Sequence, residues 1–235
     1  MKKSKHIGIV AVSAEGAALC YRTICVEGAA LFGSYGHPEI TMHTYSLAEY
    51  VRHIEADRWD EVGRLLLSSA TTLVKTGADF LVCPDNTVHQ ALDLVRAQSP
   101  APWLHIAEEV AAVAAKSRCR RLGILGTRYL MEGPVYGVAL ARQDVACEIP
   151  DPANRARINA IIFDELVQGE FTEDSRRYFQ HVIAKLETRG CDAVVLGCTE
   201  IPLLISQLDS RLPVIDSTRT LARAALREAT QSVAA

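Results

Sequence analysis

Short, continuous apolar runs recur along the chain, with longer segments between them. Apolar residues that are continuous rather than alternating are typical of parallel strands whose two faces are both covered by helices. The pattern therefore predicts buried strands at residues 7–12, 40–45, 80–83, 122–125, 193–196 and 214–215.

The segments between these runs have helical spacing. In residues 59–75, for example, Val62, Leu66, Leu73 and other apolar residues form one stripe. The same reasoning predicts helices at residues 59–75, 106–116, 155–168, 172–189 and 219–230. Alternation of strands and helices indicates a parallel α/β architecture.

Two segments repeat in the same order. Residues 77–87 (GADFLVCPDNT) resemble residues 190–199 (GCDAVVLGCT), and residues 6–10 (HIGIV) resemble residues 121–125 (RLGIL). The partners are about 113 to 115 residues apart in both cases. Two matches at nearly one offset favour a duplicated half. In this alignment Asp85 corresponds to Cys198, and Asn86 corresponds to Thr199.

The duplication predicts where a site would lie. Residues at the carboxyl ends of parallel strands face the crevice in which ligands bind. If a pseudo-twofold axis relates the halves, Asp85 and Cys198 approach one pocket from opposite walls. Backbone N–H groups after each strand end suit a carboxylate. One substrate carbon between two proton-transfer groups is the geometry of a two-base inversion.

Composition and charge exclude several classes of protein. Among 235 residues, 49% are hydrophobic, which is ample for a core, and the net charge of −3 gives no reason to expect nucleic acid or an anionic membrane as partner. No segment approaches the length of a membrane span or resembles a secretory signal. The sequence has neither a G-x-S-x-G motif nor a glycine-rich phosphate loop.

Seven scattered cysteines without C-x-x-C spacing indicate neither a disulfide framework nor a metal site. We therefore expect reduced thiols and a cytoplasmic protein.

Four motifs resemble those of one known family. Residues 86–89 (NTVH) and 196–202 (LGCTEIP) are similar to the two signatures of aspartate/glutamate racemases, and residues 125–128 (LGTR) and 163–166 (FDEL) also resemble this family. The resemblance runs from about Ile7 to Asp216, which is nearly the whole chain.

The resemblance implies two Rossmann-like domains with the active site in the cleft between them. The first domain would comprise residues 1–100 and 206–235, and the second residues 101–205. It also implies a homodimer that acts on a small amino acid or dicarboxylate without pyridoxal phosphate or another cofactor. Two thiols would flank the substrate α-carbon. Cys198 matches the second thiol, and the positions implied to bind substrate are Asn86, Thr87, Thr127, Thr199 and Glu200.

One departure from the family pattern affects the chemistry. Asp85 stands where the family has its first catalytic cysteine, and Cys83 lies two residues earlier. Aligning Cys83 instead would break the match at Asn86 and Thr87. Gln168 also replaces a basic residue, which leaves Arg22, Arg52 and Arg128 as candidate cations for an acidic substrate.

These observations leave three hypotheses open. In the first, the protein is an amino-acid racemase in which Cys198 and Asp85 transfer protons on opposite faces. In the second, Cys198 alone serves a decarboxylase or an isomerase of a small dicarboxylate. In the third, the protein binds a carboxylate without turnover. Asp85 has an alternative role as a helix cap, and Glu200 could either complement a helix dipole or contact Cys198.

Overall fold

The computed structural model describes residues 4–231. Its strands are β1 (Ile7–Ala11), β2 (Ile40–Thr44), β3 (Phe80–Val82), β4 (Trp103–Leu104), β5 (Arg121–Leu125), β6 (Ala146–Glu148), β7 (Ala193–Leu196) and β8 (Val214–Asp216). Its α-helices are α1 (Ala14–Phe32), α2 (Leu47–Glu55), α3 (Trp59–Lys75), α4 (His89–Val95), α5 (Ile106–Lys116), α6 (Arg128–Glu132), α7 (Val135–Ala141), α8 (Pro152–Asp164), α9 (Glu173–Thr188), α10 (Ile201–Leu204) and α11 (Ser217–Ala229).

The strands form two parallel four-stranded sheets with the same strand order. The first sheet has the order β2-β1-β3-β4, and the second has the order β6-β5-β7-β8. Every pairing within them is parallel. In each sheet the first and third strands in the chain are therefore central, so their carboxyl ends are adjacent. The prediction of two parallel α/β halves is confirmed.

Each sheet belongs to its own compact unit. Within the described part of the chain, one unit comprises residues 4–106 and 218–231, and the other comprises Ala107–Ser217. Both boundaries lie later in the chain than the sequence-based ones at 100/101 and 205/206. The reason is pairing: β4 pairs with β3 in the first sheet, and β8 pairs with β7 in the second.

The units have separate apolar cores. In the first unit, residues of β1 and β3 pack with the apolar faces of α1 and α11, including Ile9, Val82, Ile24 and Leu221. In the second, β5 and β7 pack with residues of α5, α7, α8 and α9. The continuous apolar runs of the central strands are thus covered by helices, as the sequence predicts.

The repeated glycines end equivalent helices. Gly77 follows α3 and Gly190 follows α9, with φ of 98° and 86°. In both places the residue after the glycine donates its N–H to the carbonyl five residues earlier: Ala78 to Leu73 at 3.1 Å, and Cys191 to Leu186 at 3.1 Å. This left-handed ending turns the chain directly into the third strand of each sheet, and glycine adopts it without strain.

Within residues 4–231, no helix is both long enough and apolar enough to cross a membrane.

Candidate active site

The end of β3 is a tight turn that presents a carboxylate. After Cys83 and Pro84 the chain turns through Asp85, and the N–H of Val88 donates to Asp85 Oδ1 at 3.2 Å. Asp85 is half-buried. Asp85 is not the N-cap of α4, which begins at His89 and has Val88 as its N-cap residue. One carboxylate oxygen of Asp85 thus helps to shape the turn.

The side chain of His89 forms a hydrogen bond across the same turn. Its ring is fully buried, and Nε2 lies 3.0 Å from the carbonyl oxygen of Cys83. Because a carbonyl can only accept, Nε2 carries the proton in this bond. The ring also packs edge-on against His105, with the ring centroids 4.3 Å apart. The bond joins the two ends of the segment that carries Asp85, Asn86 and Thr87.

Asn86 and Thr87 lie inside this turn. Asn86 is 2% exposed, and its carbonyl accepts the N–H of His89 at 3.3 Å. Thr87 is half-buried, and its carbonyl accepts the N–H of Gln90 at 3.3 Å. Both residues are at the carboxyl end of β3, as predicted.

Cys83 is unsuited to replace the missing thiol. Its side chain is 1% exposed. Burial raises the pKa of the Cys83 thiol well above its usual value, and the negative charge of Asp85 raises it further. A thiol of this kind is a poor source of thiolate. Cys83 is therefore a weak candidate for a proton-transfer group.

In the second unit, two glycines bring two strand ends together. Gly126 follows β5 and Gly197 follows β7, and the N–H of Gly197 donates to the carbonyl of Leu125 at 2.6 Å. A Cβ on Gly197 would lie 3.0 Å from that same carbonyl oxygen and 2.6 Å from Leu130 Cδ2. A side chain at Gly197 would therefore force the strand ends apart.

Thr127 lies at the first of these strand ends. It is the N-cap of α6, and its hydroxyl oxygen accepts the N–H of Leu130 at 3.2 Å. Ser13 occupies the matching position in the first unit, where it caps α1 by accepting the N–H of Gly16 at 3.2 Å. The sequence analysis did not single out Ser13, although it precedes Thr127 by 114 residues, within the 113 to 115 residues that separate the repeated segments.

Cys198 lies at the second strand end, in contact with a buried carboxylate. Its Sγ donates to Glu200 Oε2 at 2.9 Å, and the Thr199 hydroxyl donates to the same oxygen at 2.7 Å. Cys198 is 9% exposed, Thr199 is 3% exposed and Glu200 is 4% exposed. Of the two roles considered for Glu200, the structure shows the contact with Cys198.

Three further polar groups flank the end of β7. Asp216 of β8 pairs in register with Leu196, and the Ser217 hydroxyl donates to the Leu196 carbonyl at 2.8 Å. Tyr136 of α7 is buried close to Gly197. Burial raises the pKa of Tyr136 above its usual value, a hydrogen bond with Ser217 opposes this shift, and the charge of Asp216 adds to it. Tyr136 is therefore a neutral hydroxyl at ordinary pH.

The candidate cations are on the surface. Arg22 in α1, Arg52 in α2 and Arg128 in α6 are all exposed. Arg128 directly follows Thr127, and its guanidinium lies 5.2 Å from the centroid of the Tyr129 ring. Among the described residues, no cluster of three or more His, Cys, Asp or Glu side chains has the arrangement of a metal site.

The protein is thus of the parallel α/β class, and it places acid–base side chains after the carboxyl ends of β3 and β7. The sequence model of the Asp/Glu/Hydantoin racemase family matches residues 9–225. The chain belongs to this family.

Solved structures of similar proteins share the fold over nearly the whole chain. A candidate Asp/Glu racemase from Yersinia pestis is 33% identical, with a TM-score of 0.89 over 97% of this chain and 100% of that one. An aspartate racemase homologue from Pyrococcus horikoshii is 27% identical, with a TM-score of 0.83 over 97% of this chain and 100% of that one.

Named racemases are also similar in sequence. The broad specificity amino-acid racemase RacX of Bacillus subtilis is 24% identical over 70% of each chain. The glutamate racemase of Koribacter versatilis is 30% identical over 70% of this chain, but the match spans only 58% of that enzyme.

Proposed function

We propose that this protein is a cofactor-independent racemase of aspartate, glutamate or a related amino acid. Family membership supports racemisation, and similarity to both broad-specificity and glutamate racemases supports an amino-acid substrate. The protein would work in the cytoplasm as a homodimer.

The observation that carries the proposal is the equivalence of two strand ends. Asp85 follows β3 and Cys198 follows β7, and each of these is the third strand of a sheet with the same order. A carboxylate and a thiol thus occupy corresponding positions in the two halves. If both groups reach one substrate, they approach its α-carbon from opposite faces.

In the proposed reaction, Asp85 removes the α-proton from one enantiomer and Cys198 delivers a proton to the opposite face. The reverse reaction exchanges these roles. The Thr127 hydroxyl and the backbone amide groups around Asn86, Thr87 and Thr199 would hold the substrate carboxylate. Binding of this kind stabilises the negative charge that develops when the α-proton leaves.

Incubation of each enantiomer of aspartate and glutamate in D2O tests the reaction. A two-base enzyme places solvent deuterium in the inverted product, while unreacted substrate keeps its protium early in the reaction. Circular dichroism follows inversion, and mass spectrometry or NMR follows the label. Absence of both inversion and exchange with every common amino acid would reject racemisation.

Two substitutions test the assignment of the bases. Asp85→Asn and Cys198→Ser should each lower the turnover number about 100-fold or more, because each removes one proton-transfer group. Asp174→Asn is the matched control, since Asp174 in α9 is 96% exposed and has only a long surface contact with Arg177. If Asp85→Asn keeps most of the activity while Cys198→Ser does not, the enzyme uses a single thiol.

A further inference from the structure

Glu200 has a geometry that bears on the protonation of Cys198. Its Oε2 accepts two hydrogen bonds, one from the Cys198 thiol at 2.9 Å and one from the Thr199 hydroxyl at 2.7 Å. Both donors converge on this one carboxylate oxygen, which accepts both bonds. All three residues are buried, so water screens the interaction little.

The electrostatic consequence has a definite sign. A negative carboxylate in contact with sulfur disfavours a second negative charge on that sulfur, and it stabilises the S–H form by accepting its proton in a hydrogen bond. We infer that Glu200 is a positioning residue that holds the resting form of Cys198 as the protonated thiol. This inference rests on the proposed function for its role in turnover, but not for its effect on the thiol.

The inference assigns different roles to the two proton-transfer groups in the free enzyme. In the free enzyme Cys198 is protonated and acts as the acid. Asp85 must therefore act first as the base. Turnover in that direction moves one proton from the substrate to Asp85 and one from Cys198 to the opposite face. It leaves a protonated Asp85 and a thiolate beside Glu200. Water then returns a proton to the sulfur and takes one from Asp85, which restores the resting form.

Other titratable groups of the second unit also face this strand end. Asp216 of β8 is beside Leu196 in the sheet, and Tyr136 of α7 packs near Gly197. Glu200 Oε2 lies 2.9 Å from the sulfur, so Glu200 should have a larger effect on the thiol than Asp216 or Tyr136 has.

The test measures the ionisation of Cys198 directly and needs no substrate. The rate of alkylation of Cys198 by iodoacetamide is followed against pH by peptide mass spectrometry, in the whole protein. The ultraviolet absorbance of the thiolate, taken as the difference from Cys198→Ser, gives the same midpoint independently of reagent access. Glu200→Gln should lower the pH at which half of Cys198 is ionised by about one pH unit or more. Near neutral pH it should therefore raise the rate of alkylation about tenfold.

Controls separate this effect from a general change in charge or fold. Asp216→Asn changes a nearby carboxyl group and leaves Glu200 in place, and it should shift the midpoint less than Glu200→Gln does. If Glu200→Gln does not fold, Glu200→Met is uncharged and of similar volume, and the same shift is expected. An unchanged midpoint, a shift to higher pH, or an equal shift in Asp216→Asn would overturn the inference.

These outcomes are distinct from failure of the proposed reaction. A protein that alkylates as expected but never inverts an amino acid would retain the Glu200 effect and lose the racemase proposal. A working racemase in which Glu200→Gln leaves the midpoint unchanged would support the racemase proposal and overturn the Glu200 inference.

Discussion

Asp79 and Asp192 hold the first strand of their own sheets by the same hydrogen bonds. Asp79 Oδ2 accepts the N–H of His6 at 2.6 Å, and Asp192 accepts the N–H groups of Arg120 and Arg121 at 2.9 and 3.1 Å. In return, the N–H of Asp79 donates to the carbonyl of His6, and the N–H of Asp192 donates to the carbonyl of Arg121. The repeated aspartate therefore fixes the start of β1 against β3 and the start of β5 against β7.

The first prediction concerns the stability that Asp192 provides. Asp192→Ala removes a charged acceptor and leaves two backbone donors without it, so the free energy of unfolding should fall by about 1–3 kcal/mol. Urea denaturation followed by circular dichroism measures the change. Asp174→Ala is the surface control and should stay within about 0.5 kcal/mol of the parent. An equal loss in both variants would contradict this role.

The same carboxylate gives the stability a pH dependence. Burial alone would raise the pKa of Asp192, but hydrogen bonds from the Cys119 thiol and from the N–H groups of Arg120 and Arg121 lower it below its usual value. A lowered pKa in the folded state stabilises the protein above the unfolded pKa of about 4, and this contribution is lost as the pH falls through the folded value. Between neutral pH and acid, the parent should therefore lose more stability than Asp192→Asn.

The second prediction concerns the close approach of β5 and β7. Gly197→Ala should destabilise the protein by about 1–3 kcal/mol, because the new methyl group overlaps Leu130 and presses on the Leu125 carbonyl. It should also displace Cys198 and so lower the racemase turnover number. Gly137→Ala in α7 is the matched control, since its methyl group would meet nothing within 4 Å. Thermal unfolding and initial rates of inversion measure both effects.

The third prediction concerns the bond from His89 to Cys83. His89→Leu removes the donor, so the turn that carries Asp85 loosens and the turnover number should fall more than the KM changes. His89→Gln offers an N–H at a similar distance along the side chain and should restore much of the lost rate. A general packing role predicts no such difference between the two variants. Melting temperatures would show whether both variants fold.

The fourth prediction separates the two cysteines that follow the central strands. Cys83→Ala should keep racemase activity within a few-fold of the parent, because burial and the nearby charge of Asp85 keep Cys83 protonated. Iodoacetamide should leave Cys83 unmodified in the folded protein up to mildly alkaline pH. Strong loss of inversion in Cys83→Ala, with its melting temperature maintained, would restore Cys83 as a catalytic candidate.

The hydrophobic pattern predicts six of the eight strands of the described chain and misses β4 and β6. The predicted strands correspond to β1, β2, β3, β5, β7 and β8. β4 has only two residues, and β6 is largely exposed, so neither produces an apolar run. The sequence analysis also omits α1, whose apolar residues are not confined to one face: Ile24 is buried, whereas Val26 and Leu31 are exposed.

Strand-end residues could be located from sequence because the strand pattern fixes where each strand stops. Asp85, Thr127 and Cys198 all follow central strands in this way. Contact between Glu200 and Cys198 was one of two roles that the sequence allowed. The sequence could not choose between them, since side chains two residues apart meet only if the turn between them has a particular shape. The bond from His89 to the Cys83 carbonyl depends on a turn in the same way.

The bond between the His89 ring and the Cys83 carbonyl closes the β3 turn with backbone and imidazole atoms alone. The Asp85 side chain accepts the N–H of Val88, and the bond from His89 does not involve that side chain. A descendant could therefore acquire a different acid–base group at that position and still inherit a folded turn. Changes of reaction in such a lineage would begin with single substitutions rather than with a rebuilt loop.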